Sequence, residues 1–169
     1  MDHPFIEALK QKDEAKALRA LESDPALIAD HPDVIKGFVI ACMHNLRDVV
    51  EALLTKGADI NAPNTGGVTP LMASATCAQD QMLEFLLSKG ADPNVQGFDN
   101  RTALIWAAFS GVENREAILN NIRHLLKAGA NPKLKTTKGY TAVGTAKLNG
   151  NQDALELLLS LCEEQRNTP

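Results

Sequence analysis

Apolar residues along this chain come in pairs, and the pairs recur at a regular step. Leu53-Leu54, Leu86-Leu87, Leu125-Leu126 and Leu158-Leu159 follow one another at a step of about 33 residues, stretched to about 39 between the second and third. Thr69, Thr102 and Thr141 repeat the first two steps. Around the pairs, apolar positions recur at helical spacing, as in Met82, Leu83, Leu86 and Leu87. The first three pairs run into a short polar phrase: Gly57-Ala58-Asp59-Ile60-Asn61, Gly90-Ala91-Asp92-Pro93-Asn94 and Gly129-Ala130-Asn131-Pro132. A glycine just past an amphipathic helix stops it in the left-handed conformation, which a side chain resists. Asp92 and Asn94 suit the turn that follows, because their side chains bond to nearby backbone. Each Thr opens the next helix as an N-cap, and Pro70 loses only an N–H that had no partner anyway. Small residues such as Ala107 and Ala108 let neighbouring helices approach closely.

The period extends to both ends. Phe5, Ala8 and Leu9 fall on one helix and Ala17, Leu18 and Leu21 on the next, with Leu21 in phase with Leu54. Val34, Phe38, Ala41 and Cys42 make a further first helix, with Lys36-Gly37-Phe38 where the third unit has Thr69-Pro70-Leu71. The single domain 1–169 divides into five units, 1–30, 31–63, 64–96, 97–135 and 136–169, the two end units being atypical caps. Lys147 stands where inner units carry Ala, and Glu163 to Asn167 form a polar tail. The fourth unit holds six extra residues, around 111–116, which lengthen the second helix, with Asn114 able to cap it, or the loop before it.

A period of about 33 residues with this helix-turn-helix pattern resembles the ankyrin-repeat family over nearly the whole chain, most specifically in 47–143. Thr69-Pro70-Leu71-Met72-Ala73-Ser74-Ala75 is similar to the family phrase T-P-L-H-x-A-A. Thr102 to Ala108 is a second copy and Thr141-Ala142-Val143 a weaker one. The family's His is replaced by Met72, Ile105 and Gly144, so its bond to the Thr is absent, a loss of roughly 1 kcal/mol per bond. The resemblance implies an all-α solenoid of helix-turn-helix units with short β-turn hairpins, and a non-catalytic protein-binding role.

Charge and chemistry narrow this further. Net charge is −4, which argues against a general nucleic-acid binder. Residues 1–96 carry 14 acidic and 8 basic groups, whereas 97–135 carry 3 and 6. The fourth unit is thus a basic zone of Arg101, Arg115, Arg123, Lys127, Lys133 and Lys135, continued by Lys138, which suits a partner with an acidic patch. No apolar run reaches membrane-span length, and Met1-Asp2-His3-Pro4 lacks a signal-peptide profile. A cytoplasmic monomer is expected, or a periplasmic or secreted one if a leader has been removed. Cys42, Cys77 and Cys162 are expected as thiols, with Cys42 in the core. His3, His31, His44 and His124 show no metal-ligand spacing, and Gly66-Gly67 is a turn with no Gly-Lys-Ser/Thr after it. Cys77 and His44 share a phase, but stacked helices about 8–10 Å apart are too distant for a dyad. No cofactor, metal or catalytic residue is expected.

What remains is a surface. In ankyrin arrays the loop tips and the exposed ends of the first helices line one concave side. By phase the tips are Thr65, Gly66 and Val68; Phe98, Asp99 and Arg101; Thr137, Lys138 and Tyr140. The helix ends are Lys10, Met43, Thr76, Phe109, Leu148 and their neighbours. Val68, Phe98, Arg101, Phe109, Tyr140, Met43, Leu148 and Lys138 are the candidate protein-binding residues, with 111–116 as a rim. Trp106, between small residues, is expected in the core.

Overall fold

A computed structural model describes residues 2–27, 31–111 and 113–166, the last three without their side chains. Val112 of the predicted insertion and Asn167 of the polar tail lie outside the described residues. Ten α-helices, and no strand, are found among the described residues. They follow in pairs: α1 Pro4–Lys10 with α2 Glu14–Ser23, α3 Pro32–Met43 with α4 Arg47–Thr55, α5 Pro70–Thr76 with α6 Asp80–Ser88, α7 Ala103–Phe109 with α8 Arg115–Lys127, and α9 Ala142–Leu148 with α10 Gln152–Arg166. The first helices stack in one layer, α1 on α3, α3 on α5, α5 on α7 and α7 on α9. The second helices form the other, with α2 on α4, α6 on α8 and α8 on α10. The core runs between the layers and is aliphatic, with Leu21, Leu53, Leu86, Leu125 and Leu158 all buried.

The caps fall where the Thr residues placed them. The hydroxyls of Thr69, Thr102 and Thr141 accept from the backbone N–H of Met72, Ile105 and Gly144 at 3.2, 3.3 and 3.2 Å. Met72 and Ile105 fill core space at the position of the missing His. Gly57, Gly90 and Gly129 end the second helices at φ between 85° and 92°. The helix stops after α1, α3 and α5 had no glycine to announce them: Lys12, Asn45 and Ala78 take positive φ there. The six extra residues divide between loop and helix. Five residues instead of three separate α7 from α8, and α8 has 13 residues where α6 has 9. Asn114 caps α8, accepting from Ala117 N–H at 3.1 Å.

Asparagines tie the units edge to edge. The Asn61 amide oxygen accepts from Asp92 N–H at 2.9 Å. Asn94 accepts from Asn131 N–H at 2.7 Å and donates to the Gly129 carbonyl at 3.0 Å. In the first units, Gly37 sits inside α3 because the Phe5 ring packs onto it; a Cβ there would lie 2.2 Å from Phe5 Cε1.

Candidate functional site

The loop tips are turns rather than strand ladders, each spanned by a backbone bond, Asn64 N–H to Val68 O, Gly97 N–H to Arg101 O, and Thr136 N–H to Tyr140 O, at 3.0, 2.9 and 2.9 Å. Neighbouring tips are stitched together. Phe98 N–H donates to Gly67 O at 3.1 Å and Thr137 N–H to Asp99 O at 3.0 Å. This stitching brings the tips so close that a Cβ on Gly97 would sit 2.0 Å from the Gly67 carbonyl oxygen. The tips therefore form one continuous edge, and side chains on it hold fixed spacings.

Phe98 stands 73% exposed at this edge, the most open large apolar side chain of the described residues. Tyr140 and Lys138 are exposed at the next tip, and Met43, Phe109 and Leu148 are exposed at one shared phase, as the last residues of α3, α7 and α9. Val68 is half-buried. Together with Val39, Met43, Asn64, Ala73, Thr76, Cys77 and Trp106 it lines a groove of about 200 Å³. The groove exists because Ala73 occupies the phase that Trp106 holds in the next unit. The small methyl of Ala73 leaves room beside the indole.

Trp106 is half-buried and at the surface, not in the core as expected. On α7 it lies three positions from Phe109, so both share the outward face. Their rings meet edge to face at 5.8 Å. The Arg101 guanidinium lies over both, 4.6 Å from the Trp106 ring centre and 5.1 Å from that of Phe109. Asp99 Oδ2 stands 3.6 Å from Arg101 Nε. Arg101 is thus a held, partly neutralised cation. Arg123, Lys127, Lys133, Lys135 and Lys138 make no ion pair among the described residues.

A second depression of about 260 Å³ separates the fourth and fifth units, lined by Phe109, Ser110, Arg115, Asn151 and Asp153 among others. Arg115, from the predicted insertion, reaches Asp153 at 3.1 Å, and Asn151 donates to Ser110 O at 3.4 Å. Leu159, the second member of the last Leu pair, is exposed on α10 and belongs to neither group.

The groups with potential for chemistry are occupied structurally. His3 Nδ1 accepts from Phe5 N–H, which places the proton on Nε2 and lets it donate to Asp24 at 2.9 Å. His31 likewise caps α3 by accepting from Asp33 N–H. Burial pushes the Cys77 thiol up, away from thiolate, and burial together with the Lys12 charge lowers the His44 pKa. No hydrogen bond joins the two among the described residues. Cys42 is wholly buried, and burial raises its thiol well above the ordinary range. No cluster of three His, Cys, Asp or Glu able to hold a metal ion occurs among the described residues. No helix of the described residues is long and apolar enough to cross a membrane.

The family model described as ankyrin repeats (3 copies) matches residues 8–97 and 38–121. Rat ankyrin repeat and SAM domain-containing protein 6 is 35% identical over 106 residues, 61% of this chain and 11% of the relative. An ankyrin repeat-containing protein of Treponema pallidum is 34% identical over 102 residues, 60% of this chain and 32% of the relative. Myotrophin of Xenopus tropicalis is 44% identical over 57 residues, 34% of this chain and 48% of the relative. The chain thus spans less than half the length of each of these proteins. The repeat period, the capped and stacked helix pairs and the matched residues lead to one conclusion: the chain belongs to the ankyrin-repeat family.

Proposed function

We propose that this protein is a non-catalytic adaptor or scaffold that holds a partner protein on its concave side, through the third to fifth units. The observation that carries this is the set of exposed apolar groups, Phe98 and Tyr140 on the stitched tips and Met43, Phe109 and Leu148 at the ends of the first helices. Aromatic residues beside an Arg are the usual anchors of protein interfaces. A rigid surface binds without a large ordering cost. The unpaired lysines of the fourth and fifth units favour a partner with an acidic patch. On this reading the partner is a protein, with no part for nucleic acid, membrane or cofactor, and the chain acts as a monomer.

A second mechanism uses the same surface. The exposed Phe98 tip and the 111–116 segment, whose described residues are exposed, could plug an enzyme cleft, making the chain an inhibitor or immunity protein. Affinity capture with mass spectrometry separates the two. Several regulatory partners support the adaptor; one tightly held hydrolase supports inhibition; and capture that is indifferent to Phe98→Ala and Tyr140→Ala contradicts both.

A further inference from the structure

The groove and Arg101 share a wall. Trp106 lines the groove, and the Arg101 guanidinium lies over the Trp106 ring at 4.6 Å. Most of the groove's exposed lining is apolar, supplied by Val39, Met43, Val68, Ala73 and Trp106. Of its polar atoms, Asn64 Oδ1 already accepts from Gly66 and Val68 N–H, and the Thr76 hydroxyl donates to Met72 O at 2.8 Å. What the groove offers a visitor is mainly apolar. Its volume of about 200 Å³ lies below the roughly 300–1,000 Å³ of a small-molecule site and suits one inserted side chain.

Arg101 is unusual in the opposite sense. Its side chain is only 26% exposed, and its contact with Asp99 at 3.6 Å is an ion pair beyond hydrogen-bond distance. The guanidinium makes no hydrogen bond among the described residues. Two aromatic rings and Asp99 hold it in place, so its fork of N–H donors is pre-aimed and unused. That fork matches a carboxylate.

We propose that the groove and Arg101 form a two-point recognition site for a protein segment carrying an aliphatic side chain and, one or two residues away, a Glu or Asp carboxylate. The aliphatic group enters over Ala73, between Met43 and Trp106, and the carboxylate takes the terminal N–H groups of Arg101. One extended residue spans about 3.3–3.6 Å, so one or two residues cover the distance across the Trp106 ring. This rests on the concave-face assignment above and names the partner chemistry at one part of it.

The test uses the full chain and arrays of short capped peptides without Trp. In each, Leu, Ile or Met stands one or two positions from Glu, with matched arrays carrying Gln or Lys in place of Glu. Trp106 is the chain's single Trp, so its emission reports occupancy directly. Glu peptides should shift that emission and bind at least tenfold tighter than their Gln counterparts. In Arg101→Met the Glu preference should vanish while Gln peptides bind as before. Thr76→Leu, which fills the groove, should weaken all peptides about tenfold. Equal binding of Glu and Gln arrays, preference for Lys, or an emission unmoved by every peptide overturns the two-point site. Phe98→Ala and Tyr140→Ala, read on the captured partner, separate the two levels. If they weaken that partner while the peptides fail, only the two-point site is lost. If they leave it unaffected, the concave-face assignment falls too.

Discussion

Replacing Gly97 by Ala probes the stitched edge on which the binding surface rests. The added Cβ would lie 2.0 Å from the Gly67 carbonyl oxygen and 3.0 Å from Met72 Sδ. The first obstacle is backbone, so the two tips must move apart by more than an ångström. That breaks the Phe98 N–H bond to Gly67 O, a loss of about 1 kcal/mol. Overpacking against the buried Met72 adds about 1–3 kcal/mol. The expected destabilisation is about 2–4 kcal/mol, or roughly 4–16 °C in Tm for a domain of this size. Gly90→Ala is the comparison. Nothing lies within 4 Å of a Cβ there, so only the positive φ of 92° matters, at about 1–2 kcal/mol. Thermal unfolding followed by far-UV circular dichroism gives both values. A Gly97→Ala protein that melts with the wild type, or later than Gly90→Ala, would refute the stitching.

Three further expectations follow from single contacts. Lys10, aided by Lys36 at 2.8 Å, holds the Asp2 carboxyl down to about 2. The folded pKa lies below the unfolded value of about 3.9, so this stabilisation is present above pH about 4 and is lost as pH falls through about 2. The Tm difference between wild type and Asp2→Asn should accordingly close across that window; a constant difference would contradict the pairing. Asn121 is 0% exposed, its Oδ1 has no partner among the described residues, and its Nδ2 only reaches Ala75 O at 3.5 Å. Asn121→Leu should therefore raise stability by about 1 kcal/mol in urea unfolding, and a loss of that size would show that the amide is satisfied. Gly37→Ala should cost about 1–2 kcal/mol net, since the clash with Phe5 outweighs the helix gain, and Phe5→Leu in the same chain should recover part of it.

Features set by local chemistry were legible in the sequence. The Thr caps, the glycine stops after the Leu pairs and the Asn114 cap each depend on a few adjacent residues, and the structure has all of them. The exposed phases of Met43, Phe98, Phe109, Tyr140 and Leu148 follow from the repeat itself, which fixes which side of each unit faces outward. What stayed hidden depends on approach between units. Ala78 adopts φ 51° with no side-chain signal to announce it. The need for Gly97 comes from a carbonyl in the preceding unit, at Gly67. Trp106 was misplaced because its small neighbours suggested close packing, while on α7 it shares the outward face of Phe109 and is covered on one side by Arg101. That residue follows Asp99 and Asn100, both at positive φ. The groove beside it is a difference between two units, Ala73 in one and Trp106 in the next, which periodicity smooths over.

On the proposed reading, a partner protein docks on the concave side. Equilibrium binding of the captured partner to two sets of variants tests it most directly. Phe98→Ala and Tyr140→Ala should each weaken binding by about 1–3 kcal/mol with little change in the unfolding midpoint, because the two residues are 73% and 41% exposed. Glu84→Ala and Lys89→Ala, on the exposed side of α6 and its end, should bind as the wild type does. Loss of binding in the second set with none in the first would place the partner on the convex side and contradict the account.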